Sequence, residues 1–112
     1  MVSYEQLSMG WGLAKEVTHI AQKLPLPEKD KRCPESYDDC VYFITWWLNR
    51  WLRFSVPPLE DILYWLARAF WYHQRDLRRP IDECYYEEFT DKLRKDVCLR
   101  MSQWASVGVA KF

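Results

Sequence analysis

The placement of its six prolines constrains the fold of this 112-residue chain more than any other feature. They form three groups: Pro25, Pro27 and Pro34, then Pro57 and Pro58, then Pro80. Proline inside an α-helix removes a backbone hydrogen bond and clashes with the preceding turn, so helices end near such groups. The stretches between them repeat apolar residues at helical spacing. We therefore predict an all-α fold, a single-domain bundle of about four helices with Pro-rich connectors and helices at about 4–24, 37–54, 58–77 and 82–105.

Capping signals support these boundaries. Ser3 followed by Gln6 is a capping-box pattern at the start of the first helix. Ser36 suits the N-cap of the second helix, and acidic residues fill the first turns of the second, third and fourth, where they favour the helix dipole. The third helix closes with basic residues and a proline stop, Arg78, Arg79 and Pro80.

The second helix is apolar over about half of its circumference, which is wider than a surface helix needs. The side predicted to face the core comprises Cys40, Val41, Phe43, Ile44, Trp47, Leu48, Trp51 and Phe54. The opposite side comprises Tyr42, Trp46, Asn49 and Arg53. Because of this wide arc, we expect the second and third helices to form the hydrophobic centre.

The third helix has an aliphatic side and an aromatic, basic side. The aliphatic side comprises Leu59, Ile62, Leu63, Leu66, Phe70 and Leu77. His73 falls on the same side, where we expect a hydrogen-bonded core histidine. The other side comprises Tyr64, Trp65, Arg68, Trp71, Tyr72 and Arg75. In the fourth helix the predicted core stripe is Tyr86, Phe89, Leu93, Val97, Met101 and Trp104.

Aromatic and arginine side chains away from the predicted core form the candidate binding site. The predicted partner-binding residues are Tyr42, Trp46, Tyr64, Trp65, Arg68, Trp71, Tyr72, Arg75, Arg78 and Arg79. Three main interpretations stay open, namely a central third helix covered on both sides, a protein interface, and a nucleic-acid surface. A membrane-surface helix is a fourth and weaker one, because such helices usually carry more lysine on the polar side. Exposure of Arg68 and Arg75 is favoured, because burying both would require matched acids or a large desolvation cost.

The sequence contains no nucleophile elbow, zinc-protease helix, phosphate loop or dinucleotide fingerprint. We therefore expect no enzyme activity, no cofactor and no metal. The cysteines at 33, 40, 84 and 98 show no C-x-x-C spacing. We expect them to be reduced and to serve as small hydrophobes, with a Cys33–Cys40 or Cys84–Cys98 disulfide as the alternative.

The longest apolar run, residues 40–48, is too short for a transmembrane helix, and the N-terminal residues lack a secretory signal pattern. These features predict a cytoplasmic protein. Its small size, its helical scaffold and its surplus of aromatic residues predict that it works by binding another protein or a second copy of itself. A small inhibitor or adaptor fits, including the kind carried by mobile elements or phages. The alternative is a helical nucleic-acid-binding domain that uses the basic, aromatic third helix, although a net charge of zero counts against it.

Overall fold

A computed structural model describes residues 13–24, 34–51 and 59–106. These residues form four α-helices and no strand, which confirms the all-α prediction. The helices are α1 (Ala14–Lys23), α2 (Tyr37–Trp51), α3 (Leu59–Leu77) and α4 (Tyr86–Ser106). The predicted helical residues 4–12, 52–54 and 58 lie outside the described part of the chain. Organisation of residues 1–112 as a single domain stays a prediction.

The start of α2 is capped as the sequence predicts. The Ser36 hydroxyl oxygen accepts a hydrogen bond from the Asp39 backbone N–H at 3.1 Å. In return, the Asp39 carboxylate accepts one from the Glu35 N–H at 3.1 Å. Since the first N–H groups of a helix have no partner within it, these two bonds fix where α2 begins.

The fourth helix begins later than predicted. Asp82 caps a 3₁₀ turn, Glu83–Tyr85, by accepting a hydrogen bond from the Cys84 N–H at 3.0 Å, and α4 follows from Tyr86. Just before this turn, the Ile81 carbonyl accepts a 3.0 Å hydrogen bond from the Gln22 side chain of α1. The turn therefore directs the chain from the end of α3 past α1 into α4.

The third helix is the centre of the fold. It contacts α1 and α2, and α2 in turn contacts α4. Residues 66–70 are buried without interruption, which requires cover on every side of the helix. At its centre the Phe70 ring lies 5.0 Å from the Phe89 ring and 5.5 Å from the Tyr86 ring. Of the sequence-based interpretations, the central third helix is therefore correct for this stretch.

The orientation of α2 differs from the prediction. Phe43 and Trp47, predicted to face the core, are half-buried, whereas Thr45 and Asn49 are buried. The Thr45 hydroxyl donates to the Val41 carbonyl at 2.6 Å, and the Asn49 amide donates to the Thr45 carbonyl at 3.1 Å. Because carbonyls of α2 itself satisfy these polar groups, burying them is inexpensive and the aromatic residues turn outward.

Two further side-chain expectations are corrected. Leu77, placed in the aliphatic stripe of α3, is 46% exposed because it is the last residue of the helix. Cys84 and Cys98 are exposed free thiols rather than buried hydrophobes. A disulfide between them is excluded because most of the fourteen intervening steps are helical, which separates them by about 20 Å. Cys40 is buried as expected, and Cys33 lies outside the described residues.

Candidate interaction surface

The structure divides the ten predicted binding residues into three places. Arg68, Tyr72 and Tyr64 form a brace within the fold. Tyr42, Trp46 and Trp65 lie on the outer side of α2. The C-terminal end of α3 carries the others, which are Trp71, Arg75, Arg78 and Arg79. The three groups differ in how far their side chains are exposed, so they differ in how well they can contact a partner.

The expectation that Arg68 is exposed is wrong, because Arg68 is 5% exposed and Tyr72 is fully buried. The Arg68 guanidinium donates to the Pro34 carbonyl at 3.0 Å and to the Tyr64 hydroxyl at 3.0 Å. It also lies 5.5 Å from the centre of the Tyr64 ring and 5.8 Å from that of Tyr72. The Tyr72 hydroxyl donates to the same Pro34 carbonyl at 2.8 Å.

These contacts offset the cost of burying a charged side chain, through hydrogen-bond acceptors and aromatic faces. They also hold the connector at Pro34, two residues before the cap of α2. The brace of Tyr64, Arg68 and Tyr72 therefore stabilises the junction between α2 and α3. Arg68 and Tyr72 are therefore structural residues and are no longer candidates for binding a partner.

The outer side of α2 carries an aromatic face, which we define as Tyr42, Phe43, Trp46, Trp47, Trp65 and Trp104. The first four belong to α2, at spacings that place them opposite its buried residues. Tyr42 is 44% exposed, and the other five are half-buried. Aromatic rings exposed in this way keep apolar area available for contact with another molecule.

Ring contacts link four side chains of the aromatic face across three helices, and the other two rings contact each other. Trp65 of α3 stacks on Phe43, with ring centres 4.9 Å apart and planes at 28°. On the other side of α2, Trp104 of α4 meets Tyr42 edge-on at 5.4 Å. Tyr42 and Phe43 contact each other at 5.5 Å, and Trp46 contacts Trp47 at 5.1 Å. These contacts hold the rings in place before any partner binds.

Sequence reasoning missed half of this surface. Phe43 and Trp47 were assigned to the core side of α2, and Trp104 to the core stripe of α4. The available signal was the width of the apolar arc on α2, since one helix cannot bury half of its circumference against a single core. The surplus aromatic residues of such an arc face outward or toward neighbouring helices.

The basic end of α3 is exposed but partly neutralised. The Arg75 guanidinium lies 4.6 Å from the Tyr72 ring centre and 5.5 Å from that of Trp71, and it contacts the Asp76 carboxylate at 3.1 Å. Arg79 contacts the Glu88 carboxylate of α4. Arg78 is exposed. Two of these three arginines therefore lie against acids.

His73 and Cys84 are side chains of the types that can act as a base and a nucleophile. His73 is 5% exposed as predicted, but within the described residues its Nε2 has no hydrogen-bond partner, contrary to expectation. Its ring contacts Phe89 at 5.7 Å and Tyr37 at 6.0 Å. Desolvation and the neighbouring Asp82 carboxylate raise the pKa of the Cys84 thiol, which disfavours the reactive thiolate. Neither group forms a nucleophile–base pair with the other.

A shallow groove between α2 and α4 carries a charged network. The Tyr37 hydroxyl donates to the Asp96 carboxylate at 2.7 Å, and Lys92 contacts that carboxylate at 3.1 Å. Burial and Asp96 together raise the pKa of Tyr37, so its hydroxyl stays a donor. Arg100 contacts Asp38 at 2.7 Å across the same groove. These pairs join the two helices that carry Tyr42 and Trp104.

No protein-family model, curated protein or solved structure matches this chain. In the ranges the structure describes, no three histidine, cysteine or acidic side chains are grouped so as to hold a metal ion. None of the helices described here combines the length and apolar character of a membrane span.

Proposed function

We propose that this protein is a non-catalytic protein-binding module, of the kind represented by small inhibitors and adaptors, and that it binds through the aromatic face. The observation that carries this proposal is the exposure of Tyr42 together with five half-buried aromatic rings on one side of α2. Tryptophan and tyrosine dominate the energetic centres of protein interfaces, because each buries a large area at a small entropic cost.

The arrangement of these rings also suits a protein partner. Their mutual contacts restrict their movement, so little side-chain entropy is lost on binding. The brace at Arg68 and the cap at Ser36 hold α2 against α3, which makes the face a rigid platform. We infer a cytoplasmic location as well, since the exposed thiols of Cys84 and Cys98 suit a reducing compartment.

Nucleic-acid binding by α3 is the second candidate, and the exposed Arg75 and Arg78, with the half-buried Arg79, favour it. It has weaker support for two reasons. Arg68 is committed to the interior, and Arg75 and Arg79 contact acidic side chains. Binding to random-sequence DNA or RNA at several salt concentrations separates the two candidates. A steep loss of affinity with rising salt supports nucleic-acid binding, and no binding at low salt excludes it.

Site-specific photo-cross-linking in the cells that naturally make this protein tests the protein-binding proposal. A photo-reactive phenylalanine analogue replaces Tyr42 in one variant and the exposed Glu87 of α4 in the matched control. We expect protein adducts from position 42 that position 87 does not give. Equal adducts from the two positions, or none from position 42, would contradict the proposal.

A further inference from the structure

Arg78 occupies a backbone position that suits glycine. It directly follows the last residue of α3, and its φ of 56° lies in the left-handed region. Its N–H donates to the Arg75 carbonyl at 3.0 Å, and the Arg79 N–H donates to the Gln74 carbonyl at 2.9 Å. Helices that end in this hydrogen-bond pattern usually have glycine at the left-handed position. Any other side chain there costs free energy, because its Cβ crowds the following carbonyl oxygen.

The fold does not use the Arg78 side chain to offset this cost. Arg78 is exposed, and no residue in the described part of the chain forms an ion pair, hydrogen bond or ring contact with its guanidinium. The helix dipole does not require it either, since Arg75 in the last turn and Arg79 just after the helix already place positive charge at this end. A strained position whose side chain has no structural use favours contact with another molecule.

One side of α3 connects the aromatic face to the basic end of the helix. The Tyr64 ring contacts the Trp65 ring of the aromatic face, with ring centres 6.2 Å apart. Arg68 lies over the Tyr64 and Tyr72 rings. Arg75 in turn lies 4.6 Å from the centre of the Tyr72 ring. Since Trp65 and Arg75 are ten residues apart, which is about 15 Å along a helix, one partner can reach both.

We propose that Arg78, together with Arg75, pairs with an acidic segment of the protein that binds the aromatic face. This inference rests on the proposed function and gives the chemistry of its partner. An arginine guanidinium can donate two parallel hydrogen bonds to one carboxylate. The Arg75 guanidinium is already held against the Trp71 and Tyr72 rings, so little of its freedom is lost when a carboxylate binds.

The acids beside these arginines favour a protein segment over nucleic acid. The Asp76 carboxylate contacts Arg75, and the Glu88 carboxylate contacts Arg79. Both carboxylates repel the evenly spaced phosphates of a nucleic acid, whereas a protein segment can place one carboxylate at Arg78 and uncharged residues elsewhere. Because exposed ion pairs are weak, a carboxylate of the partner can also replace Asp76 on Arg75.

Selection of random peptides displayed on phage, with the full chain as the target, tests the proposal. We expect the wild type to select peptides that combine aromatic or aliphatic residues with acidic ones. Arg78→Glu places a negative charge where the acidic residues bind, so it should select peptides depleted in acids. Lys95→Glu is the matched control, because it makes the same change of charge at an exposed residue of α4 and should select the same peptides as the wild type.

Arg78→Gly gives the decisive arm, because its stability and its affinity should change in opposite directions. Glycine removes the backbone strain, so this variant should unfold at a higher urea concentration than the wild type. Its dissociation constant for a selected peptide, measured by calorimetry, should rise about threefold to fivefold. Lys95→Ala should leave that constant unchanged. Weaker binding by a more stable protein cannot come from misfolding.

Four results would overturn this inference. They are equal selection by the wild type and Arg78→Glu, unchanged affinity of Arg78→Gly, no enriched peptide at all, and tighter binding of random-sequence RNA than of the selected peptides. The proposed function survives each of them if position 42 still gives protein adducts. Peptides whose binding requires Tyr42 but not Arg78 would likewise overturn only the acidic-segment inference.

Discussion

At the scale of single residues, Arg78 holds the one strained backbone position among the described non-glycine residues, with φ of 56° at the end of α3. The Arg79 N–H donates to the Gln74 carbonyl at 2.9 Å, and the Arg78 N–H donates to the Arg75 carbonyl at 3.0 Å. This hydrogen-bond pattern favours glycine at position 78, because a Cβ disfavours left-handed backbone. Arg78→Gly should raise the free energy of unfolding by about 0.5–1 kcal/mol, measured in urea. A loss of stability would show that the Arg78 side chain contributes more than its strain costs.

His73 makes stability depend on pH. Burial lowers its pKa below the ordinary value, while the charges of Glu88 and Asp76 oppose those of Lys92 and Arg79 around it. Tyr37 from α2 and Phe89 from α4 complete its surroundings. Below pH of about 6.5 the unfolded chain takes up this proton before the folded one, so stability should fall as pH drops toward the lower folded pKa.

The measurement is the free energy of unfolding in urea between neutral and mildly acidic pH, for the wild type and His73→Leu. The contribution of His73 has a limit of about 1.4 kcal/mol per pH unit. His73→Leu should flatten the profile in that window, whereas His19→Gln, which changes an exposed histidine, should leave it in place. Identical profiles for the wild type and His73→Leu would contradict this account.

The brace gives a matched pair of tyrosine substitutions. Tyr72→Phe removes the buried hydroxyl that donates to the Pro34 carbonyl, so it should lower the free energy of unfolding by about 1–3 kcal/mol. Tyr64→Phe removes a hydroxyl from a half-buried ring that water reaches, and should cost less. Thermal and urea unfolding of the two variants test the order. A larger loss of unfolding free energy for Tyr64→Phe than for Tyr72→Phe would contradict the central role of the Tyr72 hydroxyl in the brace.

At the scale of helices, the central place of α3 and the outward aromatic side of α2 predict unequal costs for truncation. Phe70 is fully buried between α3 and α4, so Phe70→Ala should lower the free energy of unfolding by about 3–5 kcal/mol. Trp47 is half-buried on the outer side of α2. Trp47→Ala should therefore cost clearly less, although the tryptophan is larger. Equal losses of unfolding free energy for the two variants, measured in urea, would show that Trp47 belongs to the core.

Helix positions were predictable from sequence because their causes are local. Proline groups, the Ser36 cap and the closing Arg78–Pro80 stretch act within a turn or two, and α2, α3 and α4 begin or end within a few residues of the expected places. The rotation of α2 was not predictable in this way. It depends on Thr45 and Asn49 finding acceptors in their own helix, and an apolar arc as wide as that of α2 allows more than one orientation.

At the scale of the whole molecule, the candidate surface was only partly predictable. Tyr42, Trp46 and Trp65 were identified because they lie away from the aliphatic stripes. Arg68 was misplaced because its acceptors include the Pro34 carbonyl, 34 residues earlier in the chain. Trp104 was missed because only tertiary packing brings α4 beside Tyr42. Contacts between segments that are distant in the chain produce no periodic pattern in the sequence. A surface formed by such contacts can therefore be identified only from the three-dimensional structure.

The central claim is that the aromatic face binds protein and contributes little to the stability of the fold. The most direct test uses the partner that cross-links at position 42, whether this is a second copy or another protein. It compares the affinity of that partner for the wild type and for Tyr42→Ala. Leu99→Ala is the control, because Leu99 is also an exposed apolar residue. We predict a loss of binding free energy of about 2 kcal/mol or more for Tyr42→Ala, with a loss of unfolding free energy below about 1 kcal/mol. Unchanged binding, or a loss shared equally by Leu99→Ala, would contradict the account.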